Sequence, residues 1–301
     1  MEFFLQQFTN GLTVGAIYAL IALGYTMVYG VMKLINFAHG ELFTLGAFIG
    51  YALLVTFGIT GRVGLGLGLA ISVVLVAGLV GVAGHVLERV AYRPLRHSDR
   101  LAAVVSALGA SIFLQNAIML SWGANYRSYS ADLLPSVSVS IFGQSFPLLK
   151  ILIFLTAVVV MLALWLFVHR TRIGMAIRAA AIDQGAAKLM GIDVSSVIAV
   201  VFVIGPALGG IAGLIVGLCY GQINFGMGQL YGLKAFTAAI IGGIGNIQGA
   251  MVGGLLLGLV EALGAAYISV AWKDALTFVV LIMILVVRPT GLLPERVAEK
   301  L

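Results

Sequence analysis

The sequence predicts an all-α polytopic membrane protein, with eight or nine transmembrane helices arranged in two inverted-topology halves. Hydrophobic residues make up 61% of the 301 residues and charged residues only 9%, whereas soluble domains carry about a quarter charged residues. The apolar residues form continuous runs rather than alternating patterns, which favours helices over a β-barrel. One segment occurs twice along the chain, which is typical of membrane proteins built from two related halves.

The transmembrane helices are predicted from the length of the apolar runs. A helix needs roughly 20 residues to cross the hydrocarbon core of a bilayer. The predicted spans are 11–30, 42–60, 63–87, 101–122, 150–168, 194–219, 249–267 and 274–288. A further run, 233–246, is shorter and rich in glycine, and it is predicted to be a half-span, a re-entrant segment or a broken helix.

The basic residues predict the orientation of the chain. If nine segments cross, one side of the membrane holds twelve of the seventeen Lys and Arg residues, namely Lys33, Arg89, Arg93, Arg96, Arg100, Arg170, Arg172, Arg178, Lys188, Arg288, Arg296 and Lys300. The positive-inside rule assigns that side to the cytoplasm, so the N-terminus is predicted outside and the C-terminus inside. The net charge of +6 is explained by these loops, and no nucleic-acid partner is expected.

The duplicated segment spans residues 35–48 and 223–236, here called copy one and copy two, with eight of fourteen positions identical. An odd number of crossings separates the copies, which predicts inverted halves and a substrate path near the midplane. The alternative is convergent apolar composition. Asn36 and Asn224 mark matching points that either turn the chain or act as gates. His39 and Glu41 are further candidates for lining or gating the substrate path. They occur in copy one only, which predicts a role on the cytoplasmic side.

The chain is predicted to form one transmembrane domain, with halves at about 1–168 and 194–301 joined by a cytoplasmic loop, 169–193. The middle of this loop is rich in Ala and lacks Pro, which predicts a helix. Gly191 is expected to end that helix, and Asp193 to cap the next one. A small-residue helix of this kind either docks in a groove on another protein or is a solvated connector.

Charged and amide groups inside apolar runs are costly and indicate functional positions. Lys234 and Glu261 are predicted either to pair with each other or to line the substrate path, and both alternatives stay open. The segment 234–248 is the preferred candidate for lining that path. Its glycines Gly242, Gly243 and Gly245 could expose backbone groups, which membrane proteins tolerate only beside water or other protein.

Several motifs together resemble the branched-chain amino acid permease family of ABC importers. The run Gly185–Gly191 resembles the Glu-Ala-Ala loop of such permeases, although Gly185 replaces the usual Glu. Either a carboxylate contact is absent or Asp183 supplies it. The other matching motifs are Tyr18–Tyr25, Ile35–Glu41, Ile204–Gly213, Gly232–Phe236, Gly242–Gly245 and Arg288–Leu292.

The resemblance implies partners for this chain in a bacterial or archaeal plasma membrane, the inner membrane in a Gram-negative cell. They are a homologous second permease, two cytoplasmic ABC ATP-binding subunits, an extracytoplasmic substrate-binding protein and membrane lipid. The sequence contains no Gly-Lys dipeptide and therefore no P-loop. No catalytic residue, metal or cofactor is expected on this chain, with ATP and magnesium held by the partners.

The resemblance also assigns residues and a function. The residues expected to couple to the ATP-binding subunits are Arg178, Asp183, Gly185, Ala186, Ala187, Lys188, Met190 and Gly191. The expected activity is uptake of branched-chain or other hydrophobic amino acids. One alternative is a permease of the same build for urea or short-chain amides. A second is an ion-driven secondary transporter, which would need an acid–base relay, and Glu261 is the one clear intramembrane acid.

Overall fold

The structure is a computed structural model that describes residues 2–96, 98–129, 138–141 and 144–293. Its helices are α1 (Glu2–Met32), α2 (His39–Tyr51), α3 (Ile59–Val63), α4 (Leu65–Leu87), α5 (Arg100–Trp122), α6 (Leu148–Arg170), α7 (Arg172–Ile182), α8 (Gln184–Leu189), α9 (Val194–Tyr220), α10 (Met227–Gly242), α11 (Ile247–Tyr267) and α12 (Lys273–Val287). Two π-helical turns, Ala52–Thr56 and Glu88–Tyr92, extend α2 and α4, and 3₁₀ turns lie at Arg93–Leu95 and Val270–Trp272.

Two short antiparallel strand pairs lie between the helices. Strand β1 (Arg127–Ser128) pairs with β4 (Gln222–Ile223), and β2 (Ser138–Ile141) pairs with β3 (Gln144–Pro147). The first pair ties the loop after α5 to the segment that leads into copy two.

Within the described residues, eight helical segments are long and apolar enough to cross a membrane, and they coincide with the eight predicted spans. The ninth predicted run belongs to α10, which has 16 residues and ends at Gly242. A helix of that length is shorter than a full span requires. The basic residues Arg296 and Lys300, used to predict the orientation, lie outside the described residues.

The two halves pack against each other through equivalent contacts. Helix α1 packs antiparallel on α11, with Gly254 against Ala19, and α9 packs antiparallel on α4, with Gly210 against Val80. Likewise α1 contacts α10, and α9 contacts α2. In chain order, α1, α2 and α4 of the first half correspond to α9, α10 and α11 of the second half. A helix of one half therefore packs on the helices that correspond to its own chain neighbours, as α1 does on α10 and α11. This reciprocity is expected of inverted repeats.

The duplicated segments meet where α2 and α10 begin. Gly40 and Gly228 are equivalent positions of the two copies, and a Cβ on either would overlap the other's carbonyl group. The flanking contacts are also reciprocal, since Gly40 lies against Gly232 and Gly228 against Thr44. The absence of side chains at both glycines therefore lets the two helix starts cross in direct backbone contact.

Helix α2 begins inside the protein rather than at its surface. The His39 ring lies against Gly24 of α1, and α1 continues to Met32, about 12 Å further along its axis. The chain therefore turns back into the protein after α1, so α2 starts at the depth of the middle of α1. By the reciprocal contact at Gly228, α10 starts at the same depth.

The outer helices expose apolar side chains, whereas α1, α2, α9 and α10 form the core. Leu120 of α5 is 82% exposed and Val286 of α12 is 78% exposed. Apolar faces of this extent on a helical bundle are suited to lipid or to another membrane subunit.

The loop between α6 and α9 folds into two helices instead of the single predicted one. The break is at Asp183, whose Oδ1 accepts the N–H groups of Gly185 at 2.8 Å and Ala186 at 3.1 Å. Gly191 has φ of +81° and follows α8, and the Asp193 carboxylate accepts the Ser195 N–H at 2.9 Å. The predicted helix stop at Gly191 and cap at Asp193 are confirmed.

Candidate functional site

A cleft of about 320 Å³ lies at the crossing of α2 and α10. Its floor is formed by the first turns of both copies, at Gly40 and Glu41 and at Gly228 and Gln229. Its volume is at the lower end of the range for small-molecule sites. The duplicated segments therefore meet at one shared cleft.

The walls of this cleft are mostly apolar. Ile35 and Phe37 lie on the approach to α2, and Leu233 and Phe236 lie on α10. The third wall is α5, which contributes Leu108 and Ile112 together with the polar side chains Ser111 and Gln115. The cleft thus combines apolar walls with a floor of helix starts.

The helix starts on the cleft floor carry no side-chain caps. Ala38 precedes α2 and Gly226 precedes α10, and neither provides a side-chain hydrogen bond to the first turn. By contrast, α8, α9 and α11 are capped by Asp183, Asp193 and Asn246. Backbone carbonyls accept the N–H groups of His39, Glu41 and Met227 in these first turns. The helix dipole still gives both helix starts partial positive charge, which favours negatively charged groups at the floor of the cleft.

Glu41 brings a carboxylate to the same cleft. Its side chain is buried, at 3% exposure, and among the described residues its Oε2 has no hydrogen-bond partner. Its counterpart in copy two is Gln229, which is exposed. A buried carboxylate without full hydrogen bonding is costly, and such a group at a cleft is typical of a ligand site.

The burial of His39 and Glu41 does not fit the predicted cytoplasmic-side role, whereas the position of Glu41 in the cleft fits its candidacy for the substrate path. His39 is fully buried and packs on Tyr25, with ring centroids 4.5 Å apart. Because the chain turns inward before α2, both side chains lie in the interior and cannot contact a protein at the membrane surface. The sequence showed that the copies differ here but did not show how deep α2 begins.

Asn36 and Asn224 form equivalent turns into the two crossed helices. The Asn36 Oδ1 accepts the Ala38 N–H at 3.1 Å, and the Asn224 Oδ1 accepts the Gly226 N–H at 2.9 Å. Asn36 also accepts the Tyr92 hydroxyl at 2.8 Å. The structure therefore supports the turning role of both residues, and their gating role stays a prediction.

Lys234 and Glu261 form an ion pair, with Nζ and Oε1 2.8 Å apart. Lys234 is 2% exposed and also lies 2.6 Å from Asp274 Oδ1. Tyr18 donates its hydroxyl proton to Glu261 Oε2 at 2.6 Å. Of the two alternatives, pairing is the one observed, and neither Lys234 nor Glu261 lines the cleft. Asp274 and Tyr18 were missed because contacts between distant helices leave no local pattern.

The predicted path-lining role of Gly242 and Gly243 does not fit their positions. Both are buried, and the carbonyls of Ile241 and Gly242 accept the N–H groups of Leu292 and Leu293. Their backbone groups are therefore satisfied by protein. Gly245 does line a second cleft, of about 210 Å³, which it shares with Arg178 of α7.

The predicted coupling residues gather around α8. Its end projects an apolar tip, since Leu189 is 90% exposed and Met190 is 81% exposed. Arg178, Gly185, Ala186, Lys188 and Gly191 are exposed on the same loop, whereas Ala187 is buried. Asp183 caps α8 through its Oδ1, and its role in place of the missing Glu of the loop motif stays a prediction.

Comparison with known proteins identifies one family across the chain. Residues 7–285 match the family described as branched-chain amino acid transport system, permease component. The chain is 46% identical to the high-affinity branched-chain amino acid transport system permease protein BraD of Pseudomonas aeruginosa, covering 99% of this chain and 98% of that protein. It is 45% identical, with the same coverage, to the permease protein LivH of Escherichia coli K12. A probable branched-chain permease of Methanocaldococcus jannaschii is 27% identical over 91% of this chain and 87% of that protein.

Proposed function

The chain belongs to the family of permease components of branched-chain amino acid transport systems, and from this premise we propose that it carries branched-chain and other hydrophobic amino acids across the plasma membrane. The observation that carries the proposal is the cleft between the crossed starts of α2 and α10. Discontinuous helices that meet at the midplane are the usual substrate sites of inverted-repeat transporters. The apolar walls suit a branched aliphatic side chain.

Uptake measurements in cells that lack this chain test the substrate. Deletion is expected to abolish high-affinity uptake of labelled leucine and to leave urea uptake unchanged, and the plasmid-borne gene is expected to restore leucine uptake. Loss of urea uptake with normal leucine uptake would instead favour the amide-permease alternative.

In this proposal, the energy for transport comes from separate ATP-binding subunits that bind the end of α8. The exposed apolar tip at Leu189 and Met190 supports this role, because a solvated connector has no reason to project two large apolar side chains. The tip is also held firmly, by the Asp183 cap at one end of α8 and by the turn at Gly191 at the other.

Ala186→Arg tests the docking of the ATP-binding subunits. Ala186 is exposed next to the tip, so a long charged side chain there should leave the fold intact and block the contact. We expect normal membrane insertion and loss of stimulated ATP hydrolysis in the reconstituted complex. Ala186→Ser is the matched control, because it changes the same exposed position without adding length or charge. Normal stimulation in Ala186→Arg would contradict the docking proposal.

The remaining partners follow from the same proposal. A homologous second permease would cover the exposed face of α5, which forms one wall of the cleft, and so close the substrate path. The substrate-binding protein would approach from the side of Arg62, opposite α8. This orientation places the N-terminus outside and the C-terminus in the cytoplasm. After Cys219→Ser removes the only cysteine, single cysteines at Arg62 and Lys188 are expected to react with impermeant reagents from opposite sides of the membrane.

A further inference from the structure

We propose that Glu41 and the first turn of α10 form a recognition site for the zwitterionic head of an α-amino acid. The Glu41 carboxylate would bind the α-ammonium group, and the first-turn N–H groups of α10 would bind the α-carboxylate. This inference rests on the proposed function and adds to it the groups that recognise the substrate inside the membrane.

Glu41 is the group that indicates a cationic ligand atom. It is buried, it lines the cleft, and its Oε2 has no hydrogen-bond partner among the described residues. An unsatisfied carboxylate at this depth is unfavourable unless a positively charged group comes to it. An α-ammonium group supplies three donors and a positive charge.

The start of α10 lies across the crossing from Glu41 and has the opposite polarity. Gly228 lies in backbone contact with Gly40, the residue next to Glu41, so both polar elements open into one small cleft. The first turn of α10 has no side-chain cap and contains no acidic residue. The Met227 N–H is already accepted by the Asn224 carbonyl, so the N–H groups of Gly228 and Gln229, which line the cleft, are the ones that would bind the carboxylate at this helix start.

The spacing of the two polar elements distinguishes ligand classes. An α-amino acid carries its positive and negative groups on one carbon, so a single small ligand can satisfy both elements at once. Its side chain then faces the apolar wall formed by Leu233 and Phe236. Urea and simple amides have no formal charge to offer to Glu41, so the site disfavours them.

The closing experiment measures leucine taken up per ATP hydrolysed, in proteoliposomes that contain the complete transporter with its binding protein. E41Q keeps the shape of the side chain and removes its charge. We expect leucine uptake per ATP to fall about tenfold or more, as for loss of a charge-assisted hydrogen bond, while ATP hydrolysis stimulated by the binding protein persists. E2Q, at an exposed position at the start of α1, is the matched control and should behave as wild type.

A second variant covers the case in which E41Q does not assemble. Q229E places a carboxylate at an exposed position in the first turn of α10, where it would repel the substrate carboxylate, and the same fall in uptake per ATP is expected. Wild-type uptake per ATP in assembled E41Q or in Q229E would overturn the inference. A wild-type complex that takes up no leucine would instead refute the proposed function, so the two failures are distinguishable.

Discussion

Copy one and copy two share a backbone design but differ in the side chains placed on it. Both use an asparagine to turn the chain and a glycine to cross the other copy, at Gly40 and Gly228. The position that holds Gly46 in copy one holds Lys234 in copy two. Gly46 packs closely on the backbone of Gly210 in α9, whereas Lys234 is paired with Glu261 and Asp274.

These differences follow from what each copy packs against. Copy one lies between α9 and α4, where close packing needs a small residue at position 46. Copy two contacts α11 and α12, and α12 is otherwise mostly exposed. Lys234 therefore anchors an outer helix that has little packing of its own. In the part of the chain that the structure describes, the Glu41 Oε2 has no hydrogen-bond partner, which is why we assign this acid to the ligand.

The largest expected effect on stability comes from removing Lys234, which anchors α12 to copy two. Lys234→Met removes a buried cation and leaves Glu261 and Asp274 without their main partner, which should lower the free energy of unfolding by about 3–5 kcal/mol. Lys273→Met is the control, because Lys273 is 3.9 Å from Glu261 and 41% exposed, and it should cost much less. The comparison is made by unfolding titration in mixed micelles. Equal effects of the two substitutions would show that Lys234 does not anchor α12.

The next effect is on the crossing that both copies share. Gly40→Ala should lower stability by about 3 kcal/mol, because the added methyl group overlaps the Gly228 carbonyl and forces the helices apart. Gly228→Ala should have the same effect, since the contact is reciprocal. Gly78→Ala, in α4 with open space around it, should be neutral or stabilising. Thermal unfolding of the purified chain measures all three. A wild-type melting profile for Gly40→Ala would contradict the crossing.

The smallest expected effect on stability is the difference between the turns at Asn36 and Asn224. Asn36→Ala should cost about 2 kcal/mol, because it leaves the buried Tyr92 hydroxyl and the Ala38 N–H without an acceptor. Asn224→Ala should cost about 1 kcal/mol or less. Asn224 is half-buried, and among the described residues its side chain makes one hydrogen bond, from the Gly226 N–H. The same micelle titration measures both. A larger cost for Asn224→Ala than for Asn36→Ala would contradict the added stabilisation that we assign to the hydrogen bond between Tyr92 and Asn36.

The sequence predicted the elements better than their depths. Apolar runs located the eight spans, and the duplication predicted inverted halves, because hydropathy and repetition are local properties of the chain. The depth at which α2 begins depends on the turn after Met32 and on the crossing at Gly40. Neither leaves a periodic signal, so the burial of His39 was not predicted.

The site was predicted in the same uneven way. Glu41 was found because it differs between the two copies, and Lys234 because ionisable residues are rare in apolar runs. Their separate roles depend on contacts between helices far apart in sequence, such as Lys234 with Asp274. Gly243 was interpreted as path-lining, although its backbone is covered by the segment at Leu292. A single sequence does not reveal which backbone groups are covered by distant segments.

The most direct test of the central claim compares this chain with and without its ATP-binding partners. Labelled leucine would be measured in proteoliposomes that contain the chain together with the second permease, in the presence of binding protein and ATP, before and after the ATP-binding subunits are added. The account predicts accumulation of leucine against its gradient only when those subunits and ATP are present. Accumulation by the chain without them would contradict it.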